Sequence, residues 1–248
     1  MPGLFKTSNP ALNDKTFAGR PVAIAGEAMT LQGTVNKTGF LLFCASATAA
    51  YTWHLVRVQP ESVATWMWGG LIGGLVFAIV TIFKKEWSAV TAPAYALCEG
   101  LALGGISAVM NAAYPGIAIE ALGLTAAVTV VMLLLYTSGL VRATPKFTIG
   151  VIAATGGIFL FYMVDLLMGF FGHHVPLLYS NGPWGIGLSV VIVIVAALNL
   201  ILDFAFVETG VRAGAAKYME WYGAFGIMVT LVWMYIEMLR LLSKVRSR

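Results

Sequence analysis

Seven long apolar stretches, separated by short polar or charged segments, fill the chain from about residue 38 to residue 242. Each is apolar on all sides for about twenty residues, the length that an α-helix needs to cross a bilayer. Strands of a membrane barrel alternate apolar and polar residues over only about ten residues, so the pattern disfavours a barrel. The pattern predicts spans at about 38–56, 63–83, 87–110, 117–141, 147–171, 184–207 and 219–242.

Composition supports a membrane protein, because 59% of the residues are hydrophobic and only 10% are charged. Soluble domains carry roughly 25% charged residues, so these few charges cannot cover a water-facing surface. The expected fold class is an all-α membrane protein with seven transmembrane helices over residues 37–248. Residues 1–36 contain no apolar signal-peptide segment, and we expect a mostly disordered cytoplasmic tail there.

Lysine and arginine residues cluster on one side of the predicted topology. With a cytoplasmic N-terminus, the cytoplasmic tail and loops hold Lys6, Lys15, Arg20, Lys37, Lys84, Lys85, Arg142, Lys146, Arg212 and Lys217, while the opposite loops hold only Arg57. The positive-inside rule therefore predicts that the N-terminus is cytoplasmic. The C-terminal Arg240, Lys244, Arg246 and Arg248 oppose this rule if all seven segments cross. Seven crossings are still favoured because the last segment is long enough.

Several classes of function find no support in the sequence. Cys44 and Cys98 lie inside spans without the spacing of a disulfide or metal motif. No hydrolase, metalloprotease or nucleotide-binding motif is present, so we expect neither an enzyme nor a bound cofactor. The net charge of +4 is scattered through loops, which argues against nucleic acid as a partner. The expected surroundings are the lipid bilayer.

Acidic residues within the spans are the main functional candidates, because a carboxylate in hydrocarbon is costly and usually faces a partner or an ion path. Glu99 lies mid-span, Asp165 in the outer third of span 5 and Asp203 near the inner end of span 6. Glu220 and Glu237 lie near the inner and outer ends of span 7. We interpret Glu99 and Asp165 as ion-path residues. Oxygen ligands suit Ca²⁺, so Asp203 and Glu99 are its possible ligands.

Local pairing or solvation is the alternative interpretation for several acids. Glu237 and Arg240 are three residues apart, and Glu208 and Arg212 are four apart, so each pair can neutralise itself on one helix. Glu120 is close enough to the membrane interface to be solvated.

Asp203 and Glu220 form the depth-matched pair on consecutive spans. Two carboxyls in hydrogen-bond contact share a proton, because like charges disfavour joint ionisation. We therefore hypothesise that these two residues form a pH switch.

Segments spread over residues 29–248 resemble the Bax inhibitor-1 (TMBIM) family, specifically a bacterial branch. They are MTLQGTVNKT at 29–38, ALCEG at 96–100, YPGI at 114–117, NLILDF at 199–204, EWYGAF at 220–225 and LVWMYIEMLR at 231–240. The resemblance implies a last helix surrounded by six others. It also implies a pH-sensitive calcium leak in the inner membrane, sensed by aspartates of the last two helices.

Asp203 matches the first of these aspartates, whereas the position of the second holds Thr230. The nearest acids are Glu220 and Glu237, which are therefore the alternative sensor or gate residues. Glu99 matches an acid in the third helix of some family members.

The expected function is thus a pH-sensitive cation leak, with Ca²⁺ or H⁺ as the ion. The alternative is a membrane interaction protein that uses its tail to regulate a membrane protein partner, such as a quality-control protease. A proton-coupled transporter would need a substrate pocket, and no inverted repeat locates one.

Overall fold

A computed structural model describes residues 28–247, and its long elements are all helices. They are α1 (Leu31–Val58), α2 (Pro60–Phe83), α3 (Ser88–Ala113), α4 (Ile117–Thr137), α5 (Pro145–Phe170), the short α6 (Pro176–Tyr179), α7 (Pro183–Arg212) and α8 (Met219–Arg246). All except α6 are long and apolar enough to cross a membrane. The seven predicted spans are therefore confirmed, and the protein is a multi-pass, all-α membrane protein.

The first helix begins earlier than the hydrophobic pattern predicts. Thr30 caps α1, because its hydroxyl accepts a hydrogen bond from the Gly33 amide at 3.0 Å. Such a cap satisfies an amide that has no partner within the helix. Residues 31–36 of the predicted tail therefore belong to α1, while its residues 1–27 lie outside the described residues.

The last helix is central in the bundle, as expected, and α7 shares this position. Helix α8 packs against α1, α3, α4 and α7, whereas α2 packs mainly on α3, and α5 mainly on α7. Of the seven spans, α7 is the most buried and α8 the next. The interface between α7 and α8 is therefore the interior of the fold.

Helix α3 contacts α1 and α2 at the level of the backbone. A Cβ atom on Gly100 would lie only 2.2 Å from the Ala45 carbonyl oxygen of α1. A Cβ atom on Gly70 of α2 would lie 2.5 Å from the Cys98 carbonyl oxygen. Small residues permit this approach, which increases van der Waals contact between helices in a membrane. The three helices thus form one tightly packed group.

The basic C-terminal end of α8 has specific partners. Arg246 donates to Glu120 Oε1 at 2.5 Å, near the start of α4. Lys244 Nζ donates to the Gly185 carbonyl at 3.0 Å and to Ser189 Oγ at 2.9 Å, near the start of α7. The helix thus runs the full length of the bundle, ending at the face where α4 and α7 begin. The prediction of seven crossings is confirmed.

Candidate functional site

Asp203 and Thr230 join the two innermost helices. Asp203 of α7 is 1% exposed and Thr230 of α8 is 4% exposed. The Thr230 hydroxyl donates to Asp203 Oδ2 at 2.5 Å. Thr230 occupies the position where the family resemblance implies a second aspartate. The two positions are therefore in contact, with a hydroxyl where that aspartate would be.

Glu99 is a half-buried carboxylate within a spanning helix. Its neighbours on the same face of α3, Tyr95 and Ala102, are both buried, so this face is directed into the bundle. A Cβ atom on Gly74 of α2 would lie 2.8 Å from Glu99 Oε2, so the missing side chain leaves room for the carboxylate. Within residues 28–247, Glu99 has neither a hydrogen bond nor an ion pair.

Asp203 and Glu99 do not belong to a preformed metal site. Among the described residues, no group of three or more His, Cys, Asp or Glu side chains is placed to hold a metal ion. Protein sites that retain Ca²⁺ supply six to eight oxygen ligands, several of them carboxylates. Cys44 and Cys98 are free thiols.

Glu220 is fully buried, but it does not pair with Asp203 as hypothesised. Its carboxylate accepts from the Thr30 amide at 2.8 Å, from the Thr30 hydroxyl at 2.7 Å and from Lys217 Nζ at 2.9 Å. Lys37 of α1 also donates to it. Asp203 contacts Thr230 instead. Thr230 lies about 15 Å along α8 from Glu220, at 1.5 Å of rise per residue. The two carboxyls are too far apart to share a proton.

Glu237 lies near the other end of α8 and has its own cation. Arg240 donates to both carboxylate oxygens, at 3.2 and 3.3 Å, as the spacing of three residues predicts. Tyr162 of α5 donates to Glu237 Oε1 at 2.6 Å, and Arg240 contacts the same hydroxyl. Tyr162 could not be found from the sequence, because it is 75 residues away from Glu237. Because it is already paired with Arg240, Glu237 is poorly suited to replace the second aspartate that the resemblance implies at position 230.

Asp165 holds the connection between α5 and α7. Its Oδ1 accepts from the Val175 amide at 2.8 Å, and its Oδ2 accepts from the Tyr179 hydroxyl at 2.8 Å. His174 Nδ1 lies 3.6 Å from Oδ1. Donating to this carboxylate raises the pKa of Tyr179, which lies outside the spans. Both carboxylate oxygens of Asp165 thus accept hydrogen bonds from the connecting loop, and its role in an ion path stays a prediction.

Glu208 also has local partners. Arg212 donates to Glu208 Oε1 at 2.5 Å over the predicted spacing of four residues, and Tyr136 of α4 donates to Oε2. Among the acids within the spans, Glu99 lies against Gly74 and Asp203 accepts a hydrogen bond from Thr230.

The fold and these buried acids define a multi-pass helical membrane protein with carboxylates inside its helix bundle. The family model described as Bax inhibitor 1 like matches residues 9–247, so the chain belongs to this family. Neither a curated protein nor a solved structure matches the chain.

Proposed function

We propose that the protein is a pH-sensitive cation leak, with Ca²⁺ as the favoured permeant ion. The observation that carries the proposal is Glu99, a carboxylate directed into the bundle without a hydrogen bond or ion pair among residues 28–247. Acidic groups inside spans commonly mark ion or proton paths. A hard cation such as Ca²⁺ prefers oxygen ligands, so Glu99 acts as a transient ligand for it.

The contact between Asp203 and Thr230 acts as the gate. A hydrogen bond to an ionised carboxylate is roughly twice as strong as one between neutral groups. Protonation of Asp203 therefore weakens the tie between α7 and α8, and their separation opens a path past Glu99. One turn away, the fully buried Leu200 and Met234 pack in an apolar cluster that keeps the closed interface dry.

The proposed location is a bacterial inner membrane with the N-terminus in the cytoplasm. Supporting this orientation, Lys37, Lys84, Lys85, Arg212 and Lys217 all lie where α1, α3 and α8 begin or where α2 and α7 end. Basic loops remain cytoplasmic. The C-terminal cations do not oppose this orientation strongly, because Glu120 and Glu237 pair with two of them.

The test is Ca²⁺ entry into dye-loaded liposomes that contain the purified protein, at pH 6, 7 and 8. We expect flux above that of empty liposomes, a pH profile that Asp203→Asn alters, and reduced Ca²⁺ selectivity over K⁺ in Glu99→Gln. Glu120→Gln is the matched control, because it makes the same acid-to-amide change at a side chain that is 51% exposed.

Absence of wild-type flux at every pH would refute the leak. The alternative is then that the protein regulates a membrane protein partner, such as a quality-control protease. In that case, deleting residues 1–27 should abolish capture of the partner. Wild-type flux that neither Asp203→Asn nor Glu99→Gln changes would refute the roles assigned to these two acids.

A further inference from the structure

Glu220 joins the beginnings of α1 and α8 through a set of contacts that we name the α1–α8 clamp. The clamp consists of Thr30, Gly33 and Lys37 at the start of α1, with Lys217 and Glu220 at the start of α8. Glu220 is 0% exposed, and the charged groups that face it are the two lysines. Loss of these cations would destabilise the closed contact, because a buried carboxylate would keep less compensation for its charge.

The clamp depends on a glycine. A Cβ atom on Gly33 would lie 2.2 Å from Glu220 Oε1 and 2.3 Å from its Cδ, so the carboxylate would have to leave its position and its partners. The carboxylate thus occupies the space that any other residue would fill, against the first turn of α1. Amide groups and the helix dipole favour an anion at this position. On the same helix, Gly39 has nothing within 4 Å of its added Cβ position.

A second contact ties the chain before α1 to the turn between α7 and α8. The Met29 amide donates to the Ala215 carbonyl at 2.6 Å, and Ala28 forms an antiparallel bridge with Ala216. Gly214, with φ of +63°, allows the chain to reverse there. This turn connects the helix that carries Asp203 to the helix that carries Thr230.

We propose that Glu220 is a positioning residue: the α1–α8 clamp holds α8 in its closed position from one end, by charge pairing rather than by titration. This inference rests on the proposed leak. It predicts two independent constraints on α8, of which only the one at Asp203 responds to protons. Loss of the clamp therefore raises the flux at every pH and leaves the pH midpoint unchanged.

The experiment compares Gly33→Ala with Gly39→Ala in the liposome assay at pH 6, 7 and 8. We expect Gly33→Ala to raise the flux about tenfold with an unchanged midpoint, and Gly39→Ala to match the wild type. Lys37→Gln removes one cation without steric conflict, so it is the second variant if Gly33→Ala fails to fold. Shortening the acid relieves the conflict, so Gly33→Ala combined with Glu220→Asp should leak no more than Gly33→Ala alone.

Hydrogen exchange at residues 28–37 supplies a readout that does not need flux. Gly33→Ala should increase exchange there, and Gly39→Ala should not. Wild-type flux that Gly33→Ala and Lys37→Gln leave unchanged would overturn the clamp but not the leak. A shifted pH midpoint of flux in these variants would show that the clamp and the contact of Asp203 with Thr230 are not independent constraints on α8. Absence of wild-type flux would overturn the proposed leak and, with it, the clamp's role.

Discussion

Replacing Thr230 by valine tests the gate with little change in shape. The two side chains are both β-branched and similar in size, so the main loss is the hydroxyl that donates to Asp203 at 2.5 Å. Both residues are almost fully buried, so water does not replace the lost hydrogen bond. A hydrogen bond to a charged group contributes about 1.5–3 kcal/mol. If the bond exists only in the closed state, the open population rises roughly 10- to 150-fold.

The assay is Ca²⁺ flux at pH 8 and at pH 6. Thr230→Val should leak at least about tenfold faster than the wild type at pH 8, where the lost bond is charge-assisted. The ratio of the Thr230→Val flux to the wild-type flux should be smaller at pH 6. At that pH, protonation of Asp203 weakens the same hydrogen bond in the wild type. The sign follows from the proposed gate, in which the hydroxyl holds the ionised carboxylate in the closed arrangement.

Thr125→Val provides the matched control. Thr125 is 5% exposed, and its hydroxyl has no hydrogen-bond partner in the described part of the chain. Removing a buried hydroxyl without a partner should be neutral or stabilising. Equal flux in Thr230→Val, Thr125→Val and the wild type at both pH values would refute the gate. An equal increase in both variants would show a general loss of packing instead.

Two further predictions concern packing and the connection before α7. Gly100→Ala should lower the free energy of unfolding by about 1–3 kcal/mol, because its Cβ would overlap α1. Gly123→Ala, with nothing within 4 Å of the added Cβ, should not lower it; equal melting temperatures in detergent would contradict this account. Asp165→Asn should loosen residues 171–182 without changing Ca²⁺ flux, because its contacts are with that loop. Limited proteolysis of residues 171–182 checks whether this loop is loosened. A Ca²⁺ flux altered by Asp165→Asn would support a role for Asp165 in the ion path.

The fold could be predicted largely from the sequence, because a spanning helix satisfies its backbone within one apolar segment. The helix ends were less predictable where a distant residue decides them. The start of α1 depends on Thr30, whose hydroxyl donates to Glu220 at the other end of the chain. A hydrophobicity pattern ignores both of these polar residues, so it places the first span seven residues too late.

The candidate site was predictable only where a local pattern or the family resemblance located a residue. Counting positions along the last helix placed Thr230 where the resemblance implies a second aspartate, but its contact with Asp203 was not predicted. The pairing of Asp203 with Glu220 was wrong because depth in the membrane does not reveal side-chain partners. Lys37, which neutralises Glu220, is 183 residues away from it in sequence. The partners of Asp165 could not be found from the sequence for a similar reason, since they lie in a loop that forms no regular pattern.

The close packing of α3 against α1 and α2 has a consequence for how opening is coordinated. Glu99 belongs to the tightly packed group of α1, α2 and α3, whereas Asp203 and Thr230 belong to the hairpin of α7 and α8. Backbones in direct contact resist internal sliding, so we expect α1, α2 and α3 to move together. Under the proposed function, the cation ligand and the proton sensor then lie on different parts of the bundle. One displacement of the α7–α8 hairpin against these three helices would change the surroundings of both acids together, without a chain of intermediate contacts between them.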